Sequence, residues 1–246
     1  MMTEPRFFRQ RALLMALAAL LIVFILWNVP QLSFLTYPFR LFVTYVHEAG
    51  HSIMTLLTGG KVLGFVVSAD GTGLATRLGG NSALVIPAGY LGAALFGALL
   101  FYFIHTLPYS RTISVLLGVG LIGFSVAFAR PDESGLPVAL FVGVLSGAAL
   151  IGMAWKLSRN VNLLVLNVLA MMTALNAVFD LLYLIQNSDA TRGTVVNDAM
   201  NFSETVAPIL PGAAWALIWA VIAVLMLTIS AYLAVIRPIL TLRVLR

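Results

Sequence analysis

The feature that most constrains the fold of this chain is a set of apolar stretches, each about 20 residues long, that recur along the sequence. A helix of that length crosses the hydrocarbon layer of a bilayer, which is about 30 Å thick. Of the 246 residues, 61% are hydrophobic and only 9% are charged, whereas about a quarter of the residues in a soluble domain are charged. The sequence therefore predicts an all-α polytopic membrane protein.

Seven apolar segments are candidate transmembrane helices. They cover residues 12–29, 37–57, 83–104, 112–129, 137–155, 161–185 and 213–236. Seven crossings would place the two ends of the chain on opposite sides of the membrane. Arginines nevertheless cluster near both ends, for example Arg9 and Arg237, and the positive-inside rule then favours the same side. We therefore expect six or seven crossings, and the glycine-containing segment 112–129 is the candidate for a re-entrant element.

Two stretches differ from these helices. Residues 62–68 are β-branched and aromatic, and the turn sequence Asp70-Gly71-Thr72-Gly73 separates them from residues 74–78. This pattern predicts a small membrane-associated β-hairpin. Residues 187–212 hold several charged residues and two prolines, and they predict one long polar loop.

The domain organisation follows from this order of elements. We expect a single integral-membrane domain over residues 1–246, with its core at 41–187, the polar loop at 187–212 and a last helix at 213–236.

The charge of the chain indicates its topology. The formal net charge is +5 and the pI is about 9.9, values that also occur in nucleic-acid-binding proteins. Here the basic residues lie at the ends and between apolar segments, as in loops that face anionic lipid and cytoplasm. We therefore expect the lipid bilayer, and not nucleic acid, as a partner. Because the chain has no cysteine, any metal site must use histidine and carboxylate ligands.

The sequence YVHEAGHSIM places three ionisable residues, His47, Glu48 and His51, inside an apolar run. On a helix, His47 and His51 are one turn apart on one face, so both imidazoles can reach one metal ion while Glu48 addresses water at that ion. A charged group in mid-membrane costs at least ~2.5 kcal/mol and is seldom present without function. The motif therefore predicts a catalytic zinc site.

A catalytic zinc ion needs a third protein ligand. His105 stands at the end of an apolar segment, and we interpret it as an interfacial residue. Among the carboxylates, only Asp180 is embedded in an apolar segment remote from the motif, where Asn176 precedes it by one helical turn. Arg40 stands near the start of the 37–57 segment, and no Lys or Arg lies deeper inside another apolar segment to pair with Asp180. We therefore expect Asp180 to be the third ligand, and Asn176 is a weaker candidate for substrate binding.

These residues resemble the site-2 protease family of intramembrane zinc metalloproteases, in particular its compact bacterial branch without a PDZ domain. The resemblance rests on HEAGH in one hydrophobic segment, NAVFD in another, HSIMTLLTGGKVLGFVVS and the small-residue run PAGYLGAALFGALL. It implies a Zn²⁺ ion held by His47, His51 and Asp180, with Glu48 as general base and location in the bacterial cytoplasmic membrane. The family's aspartate commonly stands in an Asn-Pro-x-x-Asp-Gly setting, whereas Leu181 follows Asp180 here.

The expected function is therefore that of a zinc-dependent endopeptidase that cuts transmembrane protein substrates, with the 62–68 strand as a candidate edge for an extended substrate segment. A regulatory membrane partner is a further expectation. Two alternatives stay open: a non-proteolytic zinc-binding membrane scaffold derived from such a protease, and a metal transporter. Retention of Glu48 argues against the scaffold, and the single cluster of polar groups argues against the transporter.

Overall fold

The computed structural model describes residues 5–187, 191–192 and 195–238, and it is predominantly helical, as predicted. The α-helices are α1 Pro5–Asn28, α2 Ser33–Leu57, α3 Ser82–Val85, α4 Ala88–Thr106, α5 Ser110–Phe128, α6 Val138–Lys156, α7 Arg159–Gln186, α8 Asp198–Thr205 and α9 Gly212–Ala231. The strands are β1 Lys61–Val67, β2 Gly73–Leu78, β3 Thr191–Arg192 and β4 Val195–Val196. A 3₁₀ turn, Pro30–Leu32, precedes α2, and a π-helical turn, Tyr232–Ile236, extends α9.

Five helices in the described part of the chain, α4, α5, α6, α7 and α9 with its extension, are long and apolar enough to cross a membrane. The bent pair α1–α2 supplies a sixth span if it is counted once. The protein is thus an integral membrane protein, and its candidate spans agree with the lower of the two expected numbers of crossings. The candidate for a re-entrant element, segment 112–129, forms one continuous helix up to Phe128 in α5.

The chain bends by 102° between α1 and α2. Pro30 causes the break, because a proline disfavours the helical conformation in the residue before it. Val29 is accordingly extended, with φ −111° and ψ 98°. Helices α1 and α2 therefore point in different directions.

The helix directions follow from contacts along their length. Ala19 and Val23 in α1 pack with Val168 and Met172 in α7, and further along both helices Trp27 meets Phe179 with ring centroids 5.1 Å apart. The two helices are therefore parallel.

Helix α4 is antiparallel to α7. Pro108, just after α4, accepts a hydrogen bond from Arg159 at the start of α7. Midway along the helices, Gly97 lies against Ala170 and Ala174, a close approach that small residues permit. Helix α9 runs parallel to α4. It begins beside α8, which lies near His47 and the start of α4, and its later residue Ser230 donates to the Ala98 carbonyl in the middle of α4 over 2.6 Å. The start of α1 and the end of α9 thus lie at the same end of the bundle.

The hairpin forms where the sequence predicts it. β1 and β2 are antiparallel, from Lys61 opposite Leu78 to Val67 opposite Gly73. Gly71 in the turn has a φ of +86°, a conformation that glycine adopts without strain. The turn is fastened to α2, because the Thr44 hydroxyl donates to the Gly71 carbonyl over 2.9 Å. The hairpin therefore lies along the helix that carries the metal motif.

Candidate metal centre

Helix α2 carries the motif as predicted. His47 and His51 lie one turn apart, and their Nε2 atoms are 3.0 Å from each other. His51 is only 8% exposed and Glu48 only 5%. The burial of His51 and Glu48 places this part of the motif inside the protein.

A contact with the end of α3 orients His51. Its Nδ1 is 2.8 Å from the carbonyl oxygen of Val85, and this contact is a hydrogen bond when Nδ1 carries the proton. The lone pair of Nε2 then faces His47. Histidines that ligate metals are commonly oriented in this way by a partner on the other ring nitrogen. The ring of His47 packs edge-on against Tyr90, with centroids 4.5 Å apart.

The third group at this point is Asp198, the first residue of α8. Its Oδ2 lies 3.0 Å from Nε2 of His47 and 3.2 Å from Nε2 of His51. Ligand atoms about 2.0 Å from a tetrahedral zinc ion are about 3.3 Å apart. The three atoms form a triangle close to this size, and within the described residues His47, His51 and Asp198 are the group that could hold a metal ion. The donor set, two imidazoles and one carboxylate, fits zinc.

The structure corrects the expectation for Asp180, which is not part of this group. Asp180 lies on an exposed face of α7, near the end of that helix. The sequence argument failed because it searched for a carboxylate within an apolar segment and treated residues 187–212 as a loop. That region contains α8, whose N-cap residue Asn197 accepts a hydrogen bond from the Met200 N–H over 3.0 Å. An asparagine before a short helical run is the signal that could have located α8.

The close approach of α4 forms one wall of the site. A Cβ atom built on Gly89 would overlap with Nε2 of both His47 and His51. The small-residue run in α4 therefore does more than permit helix packing, because Gly89 leaves the space that the imidazoles occupy.

Glu48 faces the hairpin from beside the histidines. A Cβ atom on Gly73 would lie 2.5 Å from Oε1 of Glu48 and 2.7 Å from the methyl group of Thr44. The backbone N–H of Ala75 lies within hydrogen-bonding reach of the Glu48 carboxylate. Glu48 is not a member of the metal-binding group, so its carboxylate is available for a role other than ligation.

Electrostatics keep Asp198 in the form that binds metal. Burial alone would raise the pKa of its carboxyl group, but the charges of His51 and His47 and their hydrogen bonds outweigh burial. The pKa is therefore held well below its usual range. An ionised carboxylate is the ligand form.

Two other predicted positions are not among the three candidate ligands. The Asn176 amide donates to the Met172 carbonyl of its own helix over 2.7 Å. Its role in substrate binding stays a prediction. His105 lies on α4 near the far end of that helix and is buried, with Nδ1 2.8 Å from the Phe101 carbonyl, whereas the sequence indicated an interfacial loop.

Comparisons with known proteins locate the chain in a family. Neither the curated proteins nor the solved structures contain a match. Residues 16–230, most of the chain, match the sequence model of a family described as Peptidase M50B-like. This match spans both the HEAGH motif and Asp198. It confirms the resemblance to site-2 proteases, and the chain belongs to the Peptidase M50B-like family.

Proposed function

We propose that the protein is a zinc-dependent intramembrane endopeptidase. The observation that carries this proposal is the placement of His47, His51 and Asp198 within 3.2 Å of one another, beside a buried glutamate that is not one of the three. Membership of a peptidase family and a bundle of membrane-spanning helices support it.

Each residue has a distinct role in this proposal. His47, His51 and Asp198 would hold a zinc ion, which when bound would act as a Lewis acid and lower the pKa of its bound water. Glu48 accepts a proton from the attacking water and can return it to the leaving amine. The N–H of Ala75 orients the Glu48 carboxylate, and Val85 orients His51.

The hairpin offers a place for an extended substrate segment, but on a different strand from the one expected. The 62–68 strand is covered on one edge by β2 and on the other by the segment after α5, where Arg130 N–H donates to the Phe65 carbonyl over 2.9 Å. In the described part of the chain no further strand pairs with β2, and β2 passes Glu48. We therefore assign the substrate edge to β2. A transmembrane substrate that unwinds locally can pair with such an edge.

Glu48→Gln tests the peptidase. The variant keeps the size and polarity of the side chain but cannot accept a proton, so we expect zinc content to be retained and cleavage to fall by ~10²-fold or more. Glu133→Gln, on the exposed α5–α6 loop, is the matched control and should cut at the normal rate. The assay is cleavage of a panel of single-span membrane proteins by the purified chain.

Two outcomes would count against the peptidase. If the unaltered protein binds zinc but cuts nothing in the panel, and Glu48→Gln captures no substrate from the membrane, the zinc-binding scaffold is the better interpretation. If zinc content is lost in Glu48→Gln, this residue is a ligand and not a base.

A further inference from the structure

The third metal ligand stands on an unusually short element. Helix α8 has eight residues, and isolated helices shorter than about 12 residues are marginal in water. The conformation of α8 therefore depends on the surfaces against which it packs. Since Asp198 is its first residue, the position of the carboxylate depends on them too.

An aromatic contact holds α8 against α9. The ring of Phe202 meets Trp215 with centroids 4.8 Å apart and Trp219 with centroids 5.4 Å apart, both in edge-to-face geometry. Phe202 is 7% exposed and Trp219 is 3% exposed. Aromatic pairs of this kind contribute beyond the area they bury.

Polar contacts fasten the same region. The Ser203 hydroxyl donates to the Leu210 carbonyl over 2.7 Å. The indole N–H of Trp215 donates to the Ala207 carbonyl over 3.1 Å. At the start of α9, Gly212 packs directly on the backbone of Met200. Helix α8 and the segment after it are thereby joined to α9.

The aromatic contact and the metal ligand share one face of α8. Asp198 and Phe202 are four residues apart, so their side chains leave the helix on the same side, one turn from each other. The carboxylate points to His47 and His51, and the phenyl ring points to α9. Any rotation of α8 that withdraws the ring also withdraws the carboxylate.

We propose that Phe202 is a positioning residue for the metal site, and that its docking between Trp215 and Trp219 sets the affinity for zinc. This inference rests on the metal site of the proposed function and is independent of whether the protein cuts peptides. Helix α9 thus supports the carboxylate that completes the metal site with the α2 histidines, although α9 contributes no metal ligand of its own.

The test measures metal binding by the full-length protein. Phe202→Ala should raise the zinc Kd about 10- to 100-fold in competition with a chelator, the usual effect of removing support from a ligand. Its Co²⁺ absorption spectrum should shift towards that of Asp198→Ala. Phe202→Leu, which keeps most of the apolar volume, should restore much of the affinity. Ile209→Ala, in the same connection but 82% exposed, should bind zinc normally.

A double-mutant cycle separates positioning from a general folding defect. If Phe202 acts through Asp198, then Phe202→Ala should not weaken the residual zinc binding of Asp198→Ala any further. Normal zinc affinity in Phe202→Ala, or an equal loss in both backgrounds, would overturn the inference. Full zinc affinity in His47→Ala would instead reject the metal site itself, and with it the proposed function.

Discussion

Gly89 is part of the metal site although it has no side chain. The helix that contains it approaches α2 so closely that a methyl group would overlap with the facing nitrogens of His47 and His51. Other glycines of the bundle differ from it, because Gly120 on α5 has open space where a Cβ would be. The metal site therefore depends on the absence of a side chain at Gly89 as well as on its ligands.

Gly89→Ala should weaken zinc binding. Overpacking of this kind costs about 1–3 kcal/mol, which corresponds to roughly 5- to 150-fold in the zinc Kd if the cost falls on the bound state. Gly120→Ala is the matched control and should leave the Kd unchanged. Chelator competition measures both variants. An unchanged Kd in Gly89→Ala would show that α4 can move away from the histidines at no cost.

The residues of the site differ in how far the sequence alone could locate them. His47, Glu48 and His51 are fixed by local spacing on one helix, and they could be predicted without any knowledge of the fold. Asp198 lies on a separate short helix, and only the packing of α8 on α9 brings it to the histidines. A polar stripe such as Asn176 and Asp180 has the same local appearance whether it faces a metal or the outside of the bundle.

At the scale of elements, the hairpin was predictable because its turn residues act locally, whereas its exposed edge was not. Which strand edge stays open depends on the segment after α5, whose Arg130 N–H pairs with Phe65. That contact joins residues far apart in sequence. The open strand is consequently β2, next to Glu48.

Crosslinking can distinguish the two strands. Leu74 on β2 and Leu63 on β1 are both exposed leucines of the hairpin. A photoreactive residue at position 74, in the Glu48→Gln background that should trap substrate, is expected to capture more substrate than one at position 63. Equal capture at both positions, or more at 63, would argue against β2 as the docking edge.

At the scale of the whole molecule, charge is distributed unequally between the two ends of the bundle. The end that holds the start of α1 and the α4–α5 and α6–α7 turns carries Arg111, Lys156 and Arg159. At the opposite end, with the hairpin, the α5–α6 loop and α8, the described acidic residues outside the helical spans are mixed with basic residues such as Lys61, Arg77 and Arg130. The positive-inside rule predicts that the basic end is cytoplasmic.

Single-cysteine labelling tests this topology, since the chain has no cysteine of its own. Pro5→Cys, Tyr109→Cys and Ile236→Cys should resist a membrane-impermeant maleimide added to intact cells, whereas Ser134→Cys should react. Labelling of Pro5→Cys and Ile236→Cys from opposite sides would contradict the helix directions. Reversal of all four results would overturn only the orientation.

The central claim is that His47, His51 and Asp198 form one zinc site, and metal analysis of three purified variants tests it most directly. The unaltered protein should contain about one zinc per chain. Asp198→Ala and His51→Ala should purify with far less zinc, because each removes one of three ligands, whereas Asp180→Ala should keep it. Zinc retained in Asp198→Ala and lost in Asp180→Ala would contradict the site and return the third ligand to α7.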